Sequence, residues 1–126
     1  MRRLIIAIVI MIIITLICCI EILCVNNIYT DSSEKLTQAV TYMENDNYTY
    51  AKETVESLEK YWIRVENLLS TFVNHEELYE IGTSIGKLKA LANREEKDTF
   101  FAEAIEIKIL LLHIKNYENL NFKGIF

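Results

Sequence analysis

The chain has 126 residues, no proline and three cysteines, is 52% hydrophobic, and carries a net charge of −5. Beyond Asn26 there are 17 acidic against 11 basic side chains, a balance of −6 with histidine neutral, which disfavours nucleic acid and anionic lipid as partners. With no glycine-rich loop and no basic patch interleaved with aromatics, phosphate and nucleotide binding are excluded as well.

Arg2-Arg3 opens the chain, and Leu4 to Ile20 follows as 17 residues without a charge. Continued past Glu21 to Val25 the stretch has 22 residues, about 33 Å of helix, enough to cross a bilayer. Glu21 falls near an interface, where a carboxylate reaches headgroup water; at the midplane it would cost roughly 2.5 to 3.5 kcal/mol. The two arginines hold the short end in the cytoplasm. The expectation is a single-pass protein of the cell membrane, with residues 1–26 an uncleaved anchor and 27–126 extracytoplasmic.

A cleaved secretory signal is the rival reading, but its apolar core runs to about 7 to 15 residues and exits through small residues. The exit here is Cys19-Ile20-Glu21-Ile22. No small residue precedes any cysteine, as a lipoprotein signal would require. Cys18, Cys19 and Cys24 all lie in the anchor, so the outer domain has no internal disulfide. Cys24, at the outer edge, could link two copies into a homo-oligomer.

From Thr30 onward apolar residues recur at helical spacing. Asp31-Ser32-Ser33-Glu34 has the form of a capping box, predicting a helix from about Ser32 to Glu44 that buries Leu36, Val40 and Met43. Asn45-Asp46-Asn47 is a turn. A second helix carries a seam from Tyr48 through Ala51, Val55, Leu58, Trp62, Val65 and Leu69 to Phe72, with Trp62 as a core anchor.

Asn74 is placed to cap a third helix, whose seam is Leu78, Ile81, Ile85, Leu88 and Ala92. His75, Glu76 and Glu77 then occupy its first turn, where the helix dipole favours carboxylates without any functional purpose. Asn93 to Lys97 reads as a loop, Asp98 as the next cap, and Thr99 to Glu118 as a fourth helix. That helix has two apolar rows, one through Phe100, Ala104, Ile107, Leu111 and Ile114, the other through Phe101, Ile105 and Leu112. Two rows predict burial on more than one side and a place at the centre of the bundle. The fold class is therefore all-α: one transmembrane helix followed by an extracytoplasmic bundle of about four helices.

Candidate chemistry is sparse. His75 fails the H-E-x-x-H zinc pattern because Tyr79 stands at the fifth place, and neither His75 nor His113 has a glutamate three residues earlier. A single metal held by His75, Glu76 or Glu77 with Glu103, Glu106 or His113 is the remaining arrangement, and two histidines without an outer cysteine are a thin donor set. His113 is expected to be partly buried with one partner. Ser70 and Ser84 lack a glycine elbow and an oxyanion loop. No catalytic residue and no cofactor are expected, and the protein reads as a non-enzyme.

The basic start and single anchor, the helix with Trp62, the stretch Phe72-Val73-Asn74-His75-Glu76-Glu77-Leu78 and the apolar close together resemble the bacterial family called domain of unknown function 4363. The usual close of that family, Asn-Ile and a large apolar residue, is here Gly124-Ile125-Phe126. The resemblance implies a small membrane-anchored helical protein of Firmicutes without assigned activity. It also implies a companion from a second small integral-membrane family of spore-forming bacteria.

The leading functional expectation is an interaction module. Its anchor holds the bundle at the outer membrane face, and the apolar residues Leu120, Phe122, Ile125 and Phe126 bind a second integral-membrane protein. The alternative is a sensor that takes a small ligand or metal near Trp62 and His75 and acts through a partner.

Overall fold

The computed structural model describes the backbone of residues 1–71 and 73–125 and, Phe72 apart, the side chains as far as Tyr117. The described residues form four helices: α1 (Arg2–Glu44), α2 (Tyr48–Leu69), α3 (His75–Arg94) and α4 (Lys97–Ile125). Among the described residues there is no strand.

α1 is a single helix of 43 residues. Its first part is long and apolar enough to cross a membrane, and residues 1–17 are exposed on every side. Its second part turns one stripe inward, through Val25, Ile28, Ser32, Leu36, Ala39 and Met43. The break expected at Asp31 does not occur. A helix already running through Asn26 and Thr30 supplies the carbonyls that the N–H groups of Ser32 to Glu34 need, so there are no orphan donors for a cap to satisfy. Asp31 turns instead to α2, where its carboxylate accepts a hydrogen bond from the Tyr61 hydroxyl at 3.1 Å. Ser32 is buried and faces the core.

The four helices form a ring in which α1 packs on α2 and α4, and α3 packs on α2 and α4. Each contributes one stripe to a shared core. The seams of α2 and α3 go inward as their spacing predicts, Val65 and Tyr48 being half-buried. Phe72, expected to extend the α2 seam, lies outside the described residues. Val40 is half-buried rather than in the core, and Ala39 takes its place.

No helix occupies the centre of a ring, which corrects the place expected for α4. Phe100, Ala104, Ile107, Leu111 and Ile114 are buried, but of the second row Phe101 is half-buried and Ile105 and Leu112 are exposed. A helix with two neighbours buries about one stripe.

The turns are tight. α1 ends at Glu44, and Asp46 takes a left-handed φ of 62° before α2 begins. Asn74 caps α3 as its position predicts, its side-chain oxygen accepting from the Glu76 backbone N–H at 3.1 Å. The third turn is shorter than expected: α3 ends at Arg94, Glu95 adopts the left-handed conformation (φ 59°, ψ 33°), and α4 starts at Lys97. Asp98 thus lies in the first turn of α4 rather than capping it.

Gly82 admits the Trp62 ring, since a methyl group there would sit 3.4 Å from the indole nitrogen. Gly86, on the same helix, has open space beside it.

Candidate interaction surface

α4 presents two faces of different use. Opposite its buried stripe, Ile105 and Ile109 are each 61% exposed and Leu112 is 41% exposed. Spacings of four and three put them on one line along the helix. Lys108 and Lys115 fall to one side of this line on the helical wheel, and Glu106 and His113 to the other.

Beside the line, α4 and α1 leave an open groove of about 480 Å³, with Phe101, Ile105 and Lys108 on one wall and Leu36, Val40 and Thr41 on the other. Its lining is largely apolar and includes the charged side chains Lys108 and Glu44. The arrangement suits an amphipathic segment that lays an apolar edge along α4.

The expected site residues are distributed rather than gathered. His75 is the first residue of α3 and lies with Glu66, Glu76, Tyr79 and Glu80 on an open groove, while the cap belongs to Asn74. Glu77 points elsewhere and meets His113 of α4, with Oε1 and Nε2 3.7 Å apart. That separation is longer than a hydrogen bond, and His113 is exposed rather than partly buried. Glu103 has one carboxylate oxygen enclosed without a hydrogen-bond partner, and Glu106 is exposed. Among the described residues no three His, Cys, Asp or Glu side chains are grouped to hold a metal ion.

Trp62 is 2% exposed, in keeping with a core anchor. The space against it, bounded by Val25, Tyr29, Leu69, Leu111 and Ile114 among others, is about 10 Å³, room for about one water at most. It shares no lining residue with the groove at His75.

Tyr61 is the most perturbed titratable group on this side of the bundle. Partial burial and then the neighbouring Asp31 carboxylate push its phenol up to about 12, against a smaller opposing effect of Arg64. At the far end Asp46 and Lys97 are ion-paired, which lowers the one and raises the other.

Of the tail residues singled out as partner contacts, the side chains of Leu120, Phe122 and Ile125, and Phe126 altogether, lie outside the described residues. The sequence reading took Ile105 and Leu112 for core and passed over Ile109. The available signal was the angle between rows: Ile105, Ile109 and Leu112 centre roughly 150° from the stripe of Phe100 and Ile107, too far to share one core.

These features define a four-helix-bundle protein whose first helix includes a candidate membrane span and whose last helix leaves an apolar row uncovered. The chain belongs to the family described as domain of unknown function, DUF4363, whose model matches residues 20–125. No curated protein and no solved structure matches it.

Proposed function

We propose that the protein is a non-enzymatic interaction module, anchored in the cell membrane by α1 with its bundle on the extracytoplasmic side, that binds a second integral-membrane protein through α4. The single observation that carries this reading is the exposed line Ile105, Ile109 and Leu112. Three large aliphatic side chains in a row on an otherwise acidic surface are a cost to a free domain in water and an asset to a docked one. The line runs along the helix toward the end where α1 enters the bundle, so a partner held in the same bilayer meets it at high effective concentration. The occupant that fits is an amphipathic helix with both signs of charge at its edges, since lysines flank one side of the line and Glu106 the other. The small integral-membrane companion implied by the family resemblance is the first candidate.

The sensor alternative has less support, because Trp62 and His75 line separate spaces and the one at Trp62 is too small for a ligand.

The test is purification of tagged full-length protein from its own membranes in mild detergent, beside an Ile105→Asp/Ile109→Asp variant, with captured proteins and metals identified together. The expected result is a stoichiometric membrane protein with the wild type and at least a tenfold loss with the variant, at unchanged helicity and melting temperature. Equal capture by both would move the contact off α4. One metal per chain without a partner would overturn the reading.

A further inference from the structure

Two contacts set the alignment of α4 against α1. Asp46, just past α1, is ion-paired with Lys97, and near the apolar segment the Lys115 ammonium lies 4.6 Å from the centroid of the Tyr29 ring. Between these contacts α1 with the start of its turn advances 17 residues and α4 advances 18, close to the match expected of two antiparallel helices of equal rise. The groove agrees, with Leu36 to Glu44 facing Phe101 to Lys108.

Past Lys115, α4 continues as helix for ten more residues to Ile125, about 15 Å. The same alignment brings Lys123 level with Glu21 and Ile125 level with Cys19, inside the uncharged run Leu4 to Ile20. Glu21 is the only charged side chain between Arg3 and Asp31, and Lys123 is the only one after Glu118. α1 also changes character at this height. Residues 1–17 are exposed all round, whereas Cys18, Glu21 and Ile22 are half-buried at the spacing of one helical stripe.

We infer that the end of α4 leaves the bundle and enters the membrane boundary beside α1, giving the protein a second lipid contact, with Lys123 at the level of Glu21. The inference rests on the reading of α1 as a membrane span. The composition after Glu118 suits a lipid boundary: Leu120, Phe122, Ile125 and Phe126 alternate with Asn119, Asn121 and Lys123, apolar bodies for the acyl edge and polar groups for the headgroups. A lysine at the height of Glu21 also offsets the cost of a carboxylate so close to hydrocarbon. The bundle then stands on the membrane by two helices rather than one.

The experiment uses the full-length protein in phosphatidylcholine vesicles with brominated or ordinary acyl chains. Phe122→Trp and, separately, Ile13→Trp are made with Trp62 kept as a constant background. The expected result is that the fluorescence added at either position is quenched several-fold by brominated lipid, while Trp62 in the unmodified protein is not. Quenching at 13 without quenching at 122 overturns the inference and leaves the span intact. No quenching at 13 overturns the span and the inference with it. The alignment is checked independently after replacing Cys18, Cys19 and Cys24 by alanine. A Glu21→Cys/Lys123→Cys pair should close within one chain, as should Asp46→Cys/Lys97→Cys, whereas Glu21→Cys/Asn116→Cys should not. Failure of the 21/123 pair where 46/97 closes is a second way for the inference to fall.

Discussion

Trp62 shows what one side chain does in a ring of four helices. Its indole reaches across the core to Gly82, and its N–H is enclosed without an acceptor. The ring therefore contributes area and shape, while the nitrogen is a burden. Trp62→Ala should cost about 3 to 5 kcal/mol in unfolding free energy. Trp62→Phe should cost under about 2 kcal/mol, because loss of the unpaired donor offsets part of the lost area; chemical denaturation of both variants checks the contrast. Tyr61 gives a second prediction. Its phenol, pushed up to about 12 by burial and by Asp31, ionises later in the folded protein than in the unfolded chain. Its contribution to stability is thus complete below pH 10 and is lost as the pH rises through 12. Asp31→Asn should move the titration back toward 10, read as phenolate absorbance with Tyr61→Phe as the blank.

The turns between elements carry backbone strain that substitution can relieve. Glu95 ends α3 in the left-handed region, where a side chain costs about 1 to 2 kcal/mol that glycine does not pay. Its contact with Lys52, 3.4 Å long and at the surface, returns little. Glu95→Gly should stabilise the bundle by about 1 kcal/mol. Gly86→Ala should add roughly another 0.5 to 1 kcal/mol, since the position is helical and has room; thermal melts of each variant settle both signs. The same elements show what could be read in advance. The seams of α2 and α3, the turn at Asn45 to Asn47 and the Asn74 cap were legible because each is decided by residues within one or two turns. The continuity of α1 was not, because Asp31-Ser32-Ser33-Glu34 begins a helix only where no helix already arrives. Nor was the exposure of α4's second row, since a sequence shows that a face is apolar but not how many neighbours are present to cover it. The surface row was thus hidden among residues whose spacing assigns them to the core.

At the scale of the whole molecule, the ring explains why the last helix is the one with a face to spare. Each helix has two neighbours, and α4 carries a second apolar row, Ile105, Ile109 and Leu112, beyond the side they cover. The proposed partner would complete a third side, and the capture experiment on Ile105 and Ile109 asks whether it does. One further consequence comes from α1, which passes from its exposed apolar part into the core without a break. A loop at that junction would let the bundle swivel and tilt freely on the apolar part. An unbroken helix makes it a rigid spindle: rotation or tilt of the lower segment is handed on to the domain at full amplitude, and the compass bearing of the α4 face is set by the helix phase below it. Adding a single residue there would swing that face by about 100°, so whatever it meets must be positioned as well as present.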